Sequence, residues 1–263
     1  MELPAFFFDI DGTLLDYTHN LTTISPKTQQ ALDKLRETHP TFIASGRTKC
    51  FIDKAILAYP FDGFVTCNGA YVEYQGKCIY KKKATQAALQ KAVEIARKYQ
   101  AVLYLESRDK IYTYNADLPI HKHFTTSWGM REEIVATDFN LEEIEVYIGM
   151  IVADKEEDCQ IIVDSLAPYF DVTRHVNQTS FDLTLKGINK AQGIAAVMAY
   201  FDSDLEMAWA FGDAYNDLEM ISSVGHGIAM GNAVEPIKAI AYDVTDEAWH
   251  DGIVSCLKKY NWI

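Results

Sequence analysis

The sequence predicts an α/β protein: a doubly wound, Rossmann-like parallel sheet into which a smaller α+β unit is inserted. Three observations predict it. Short apolar runs alternate with helical patterns at the start of the chain, a β-α-β-α-β rhythm that implies a parallel sheet with covering helices. Near Lys81-Lys82-Lys83 that rhythm gives way to paired strands and long helices, and further on it resumes. The length, 263 residues, favours two domains at roughly 150 residues each. The expected boundaries put residues 1–82 and 182–263 in the core and 83–181 in the insert.

Each element has its own local reason. Residues 5–8 are a continuous apolar run, read as a buried strand. Ser25-Pro26 is a helix start, Ser as N-cap and Pro at the first helical position, leading into residues 27–36. Residues 41–44 form the next strand, 50–58 a helix and 64–66 a third strand. Residues 71–74 and 78–81 flank Gln75-Gly76-Lys77 as a hairpin. In the insert, 85–99 is a long amphipathic helix, and 101–106 and 111–115 are strands joined at Arg108-Asp109. A linker with Pro119 follows, then strand 146–152, helix 156–169, and strands near 171–174 and 181–185. The core rhythm returns with helix 191–200, strand 208–211, helix 217–222, strand 227–230 and helix 252–258.

Composition narrows the function. Lys and Arg number 24 against 37 Asp and Glu, a net charge of −13. That excess argues against nucleic acid or an anionic membrane as partner, because both are held by phosphate neutralisation. It does not argue against a small phosphorylated substrate, since one site can be locally cationic. The five cysteines are scattered without C-x-x-C spacing, so neither a disulfide framework nor a zinc site is expected and a cytoplasmic location is. The first residues lack a signal-peptide pattern, and no apolar stretch approaches the ~20 residues a bilayer span needs.

The chemistry concentrates in four segments. Phe6-Phe7-Phe8-Asp9-Ile10-Asp11-Gly12-Thr13 places two carboxylates at the end of an apolar strand, where strand alternation aims both to one side. Adjacent buried carboxylates repel unless a cation lies between them. Downstream, Phe211-Gly212-Asp213-Ala214-Tyr215-Asn216-Asp217 repeats the design of strand, glycine and acids. A parallel sheet can bring both strand ends together, so Asp9, Asp11 and Asp213 can form one oxygen-rich site of the kind that suits Mg²⁺. Ser45-Gly46-Arg47 offers a hydroxyl and backbone N–H groups to an anion. Lys186 to Gly193 supplies two lysines before a helix, able to neutralise a phosphoryl oxygen. Taken singly, each has a bland alternative: a solvated strand end, a first-turn acid, an N-cap serine or a surface lysine.

In this order the four segments resemble the haloacid dehalogenase-like phosphohydrolase superfamily, specifically its Cof-type branch with a large α/β cap. Asn68-Gly69-Ala70 and Met230-Gly231-Asn232-Ala233 also look like segments of that branch. The resemblance implies an Mg²⁺-dependent phosphatase acting through an aspartyl-phosphate. By that resemblance Asp9 is the nucleophile, Asp11 the general acid/base, Ser45 the phosphate-binding hydroxyl and Lys190 the phosphate-binding lysine. Lys190 is preferred to Lys186 because it directly precedes Ala-x-Gly-Ile. Ile10, Gly46 and Asn216 join them around the phosphoryl group, and Asp9, Asp11 and Asp213 hold the metal with Asp217 in support. Ser45 stands where Thr is commoner, and Ala191 where Gly is; neither removes a functional group. The implied substrates are small phosphorylated metabolites, sugar phosphates foremost, for a monomer or small homo-oligomer. Tyr112, Tyr114, His121, Arg131, Arg174 and His175 of the insert are candidate substrate contacts. The two tyrosines are favoured as ordinary sheet residues, and His121-Lys122-His123 as an exposed loop. A phosphomutase of the same superfamily and a non-catalytic phosphate-sensing module are the alternatives.

Overall fold

The structure, a computed structural model, describes residues 3–127, 134–176 and 178–263. The first five strands are β1 (Ala5–Phe8), β2 (Thr41–Ala44), β3 (Gly63–Thr66), β4 (Tyr71–Tyr74) and β5 (Lys77–Lys81). Then come β6 (Val102–Glu106), β7 (Ile111–Tyr114), β8 (Val135–Ala136), β9 (Ile148–Val152), β10 (Phe170–Arg174) and β11 (Ser180–Leu185). The last are β12 (Ala208–Gly212), β13 (His226–Ala229) and β14 (Asp243–Val244). The helices are α1 (Pro26–Arg36), α2 (Lys54–Ala58), α3 (Gln86–Lys98), α4 (Pro119–Ser127) and α5 (Glu156–Leu166). They continue with α6 (Lys190–Tyr200), α7 (Leu218–Ser223), α8 (Glu235–Ile240) and α9 (Gly252–Lys259). No helix among the described residues is long and apolar enough to cross a membrane.

The chain folds as two compact units. Residues 1–47, 52–80 and 189–263 make the first; 48–51 and 81–188 make the second. In the first, eight strands run in the order β14-β13-β12-β1-β2-β3-β4-β5. β1 pairs in parallel with β2 on one side and β12 on the other. It is therefore the point where the winding reverses, and the carboxyl ends of strands at such a point are where α/β sheets place their ligands.

The alternation along β1 explains why helices cover both faces. Phe6 and Phe8 pack with Trp209, Phe211, Leu32 and Leu35 of α1, and Ile253 and Leu257 of α9. Ala5 and Phe7 face the other way, with Phe42, Val65, Ile194 and Val197 of α6, Met220 of α7 and Ile237 of α8. All three phenylalanines are fully buried, each contributing about 1.5–3 kcal/mol of apolar transfer. An apolar run, not an alternating one, is what a strand covered on both faces requires.

The second unit has a six-stranded sheet in the order β10-β11-β9-β6-β7-β8, antiparallel except for the β7–β8 pair. Val102, Tyr104, Ile111, Met150 and Val152 form an apolar cluster on one of its faces, with Ile120 of α4 against it. The division between units differs from the expected 83–181. β11 pairs with β9 and β10, so residues 182–188 belong to the second unit. The expected boundary at 181 cuts through this strand, Ser180–Leu185.

Two other expectations are corrected. The single helix at 50–58 is a 3₁₀ turn (Lys49–Phe51) followed by α2. The break comes at Asp53, whose backbone is extended (ψ 140°). The Cys50 amide meanwhile donates to the Arg108 carbonyl at 3.1 Å, tying the turn to the second unit. Pro119 does not sit in a linker but opens α4. Proline is at home in a first helical turn, where its missing N–H has no partner to lose. His121 accordingly lies on a helix rather than in an exposed loop, with its Nδ1 2.9 Å from the Tyr104 hydroxyl.

Candidate active site

Asp9 follows β1 directly and is 4% exposed. Its Oδ1 accepts from Lys190 Nζ at 2.5 Å, and the same ammonium donates to Asp217 Oδ1 at 2.6 Å. Lys190 opens α6, whose N-cap Asn189 accepts from the Gln192 amide. Both Lys190 and Asp217 are fully buried. Burial alone would favour the neutral amine, but the Asp217 and Asp9 carboxylates outweigh it and hold the Lys190 ammonium charged, above its usual range. Burial pushes the Asp9 carboxyl up, Lys190 opposes it, and the charge on Asp217 adds to it. Lys186 lies elsewhere, half-exposed and paired with Asp171 at 3.1 Å.

Asp213 completes the group: Asp9, Asp213 and Asp217 have carboxylate oxygens within 4.8 Å of one another. Burial, then the charges on Asp9 and Asp217, push Asp213 up to about 8. Asp217 also fastens the turn, its Oδ2 accepting from the amides of Asp213 (3.0 Å) and Ala214 (3.1 Å). Gly12 is obligatory: its φ is +86°, and an added Cβ would stand 2.1 Å from Asp213 Oδ2. The Gly12 carbonyl accepts from Asn232 Nδ2 at 2.8 Å, while Asn232 Oδ1 takes the Ala248 amide at 2.9 Å. Asn232 thus clasps the first motif to the C-terminal part of the unit.

The loop after β2 approaches the same end of the sheet. Ser45 is buried, and its Oγ accepts from the Arg47 amide at 3.2 Å. A Cβ built on Gly46 would come within 3.0 Å of Asn68 Oδ1 and 3.8 Å of Asn216 Nδ2, so both amides flank that glycine. Ile10 is buried, its carbonyl accepting from the Thr13, Leu14 and Leu15 amides and closing the turn. Asp11 does not join the carboxylate group. β1 ends at Phe8, so strand alternation stops short of Asp11, and its half-exposed carboxylate meets Arg47 instead. An open cleft of about 480 Å³ beside it is lined by Asp11, Gly12, Tyr17, Asp213, Asn232 and Trp249.

A model of the haloacid dehalogenase-like hydrolases matches residues 6–257. The chain belongs to that family. It is 31% identical over 261 residues to the Bacillus subtilis (strain 168) protein YkrA, covering 98% of each chain. It is 28% identical over 267 residues to 5-amino-6-(5-phospho-D-ribitylamino)uracil phosphatase YitU of the same strain, covering 96% of this chain and 95% of that one. Among solved structures it is similar to a sugar phosphatase of subclass IIB of the family, with a TM-score of 0.81 and 28% identity over 99% of this chain and 100% of that one. This hydrolase is accordingly an enzyme of the phosphatase class, with the Cof-type features its motifs announced.

In the hydrolase's second unit, the candidate contacts are engaged locally. Tyr112 and Tyr114 both lie with their ring centroids 5.0 Å from that of Phe139. Arg174 pairs with Glu156, and His175 lies 3.1 Å from Asp182. Arg131 lies outside the described residues. Sequence reasoning passed over Arg47 and the role of Asn232. The signal for Arg47 was its place directly after Ser45-Gly46; nothing local to Asn232 announces a bond to Gly12.

Proposed function

We propose that this chain is an Mg²⁺-dependent phosphatase of small phosphorylated metabolites, sugar phosphates foremost, working through a phosphoryl group carried on Asp9. The observation that carries the reading is the buried Lys190 ammonium on Asp9 Oδ1 at 2.5 Å, inside a carboxylate group at the switch point of the sheet. A nucleophile so placed has one oxygen oriented and the other left for attack.

The donor set fits a hard divalent cation. Three carboxylates stand within 4.8 Å, Lys190 takes only Oδ1 of Asp9, and Asp217 alone has both oxygens committed to hydrogen bonds. Asp9, Asp213 and the Asp11 carbonyl would hold Mg²⁺ with Asp217 behind them, and the ion would offset repulsion between Asp9 and an incoming phosphate.

The chain's own groups then divide the work. The Asp9 carboxylate forms a bond to phosphorus as the bond to the ester oxygen breaks, and Asp11 gives that oxygen its proton. Asp11 next takes a proton from water, which attacks the phosphorus and returns Asp9 and inorganic phosphate. The Ser45 hydroxyl donates to a phosphoryl oxygen, since its lone pair already accepts from the Arg47 amide. The amide of Gly46, Lys190, Asn216 and the turn at Ile10 surround the same group, where preorganised donors supply most of the rate. The second unit, residues 48–51 and 81–188, is the cap of this family type in this reading and the source of leaving-group choice.

A panel of phosphorylated metabolites with and without Mg²⁺ tests it. Metal-dependent release of inorganic phosphate, strongest on sugar phosphates and abolished in Asp9→Asn, is expected. Phosphate moved between positions of the substrate without release would make it a mutase. Binding without turnover would leave only a sensor.

A further inference from the structure

Arg47 approaches Asp11 with a two-pronged fork. Its Nε lies 3.0 Å from Asp11 Oδ2 and its Nη2 lies 2.7 Å from Oδ1. The third nitrogen, Nη1, faces Asp53 Oδ2 at 3.5 Å, and that same oxygen accepts from the Tyr17 hydroxyl at 2.5 Å. Tyr17, Asp53, Arg47 and Asp11 thus form one chain of contacts, all within the first unit.

An exposed ion pair taken singly contributes little, because two long side chains must be held for a screened attraction. Three features set this one apart. The contact is bidentate, which fixes direction as well as distance. Arg47 is braced on its far side, with only 26% of its side chain exposed. And Asp11 gains from being held: its side chain is 48% exposed and it lies beyond the end of β1. Two N–H contacts use two of about four lone-pair positions on a carboxylate, so each oxygen keeps a position for a further partner.

We propose that Arg47 is the positioning residue for Asp11, clamping its carboxylate where it meets the leaving group, with Asp53 and Tyr17 steadying the clamp. The proposal rests on the reading of Asp11 as general acid and base. It gives the Ser45-Gly46-Arg47 turn two tasks: the serine holds the phosphoryl group while the arginine holds the proton carrier. Geometry between the two is set by three consecutive residues rather than by distant parts of the chain.

Leaving-group dependence reads this out. p-Nitrophenolate departs without a proton, whereas phenolate depends far more on one, and the two aryl phosphates are nearly the same size. kcat/KM is measured for both on wild type, Arg47→Gln, Arg47→Lys and Asp11→Asn, with inhibition by inorganic phosphate alongside. Arg47→Gln is expected to lose about tenfold more on phenyl phosphate than on p-nitrophenyl phosphate, part of the 10²–10⁴-fold a general acid supplies. Arg47→Lys, which keeps the charge but not the fork, falls between and serves where Arg47→Gln yields too little folded protein. Asp53→Asn and Tyr17→Phe shift the ratio the same way by less. Equal losses on both esters, or losses accompanied by weaker inhibition by phosphate, would make Arg47 a phosphate ligand or a structural residue and overturn the proposal. Should Asp11→Asn itself show no leaving-group dependence, the acid/base reading of Asp11 falls first, and that outcome is separate from the failure of Arg47 alone.

Discussion

Both units bring a carboxyl to the end of an interior strand, and they give it different neighbours. In the first, Asp9 at the end of β1 meets the buried Lys190 and stays within reach of two further acids. In the second, Glu106 ends β6, and the charge on another acid, Asp182 of β11, acts on it. Glu106 continues the face of Tyr104, whose strand neighbours across the sheet are Met150 and then Asp182. Burial, then Asp182, push Glu106 up to about 8. A cation beside a carboxylate favours its charged form, whereas burial and a neighbouring acid favour the protonated one. Burial raises both carboxyls, and in the first unit the Lys190 ammonium opposes that rise, while in the second Asp182 adds to it.

Replacing Lys190 breaks the first half of that contrast. Lys190→Met leaves Asp9 and Asp217 buried without their cation, and a cost of about 3–5 kcal/mol is expected from uncompensated buried charge. Thermal unfolding in the presence of a chelator measures it, and adding Asp217→Asn in that background should restore part of the loss. A Lys190→Met protein as stable as the parent would mean the pair contributes nothing to the fold.

A smaller effect is expected from Asn232→Ala, which frees the Gly12 carbonyl and the Ala248 amide it bridges. The expected cost is about 1 kcal/mol for part-buried groups left unpaired, with activity falling as Asp11 loses its anchored turn. Denaturant unfolding and kcat/KM on the same preparation measure both.

The gentlest probe sharpens the second half. A carboxyl raised to about 8 holds its proton in the folded chain where the unfolded chain, at about 4.5, has released it. Its stabilising share is complete below pH 4.5 and is lost as pH rises through about 8. Glu106→Gln, which stays neutral, should therefore gain in thermal midpoint over the wild type as pH goes from 5 to 9. Parallel pH curves for the two proteins would show that Glu106 is already ionised.

The same contrast explains what was legible in the sequence. Ser45, Lys190 and Asp213 stand out because each lies beside a glycine or at a helix start, and Asp9 because it closes an apolar strand two residues before a second acid. The apolar run Phe6-Phe7-Phe8 announced a strand covered on both faces for the same kind of reason. Glu106 carries no such signal: its state depends on Asp182, which only the register of three strands brings near. The clamp of Arg47 on Asp11 likewise needs two loops to meet. The expected edge of the insert, at 181, cuts through β11, whose pairing with β9 and β10 keeps the whole strand in the second unit. Pro119, expected in a linker, is instead a first-turn residue of α4.

The central claim is that Asp9 carries the phosphoryl group. Asp11→Asn with p-nitrophenyl phosphate is the preparation to use, since it forms the intermediate without an acid and lacks the base to hydrolyse it. Acid quenching followed by borohydride reduction turns an aspartyl phosphate into homoserine, which peptide mass spectrometry locates. Homoserine at position 9, dependent on substrate and absent in Asp9→Asn, is the expected result. An unmodified Asp9 in a protein that still releases p-nitrophenolate, or homoserine at another acid, would contradict the account.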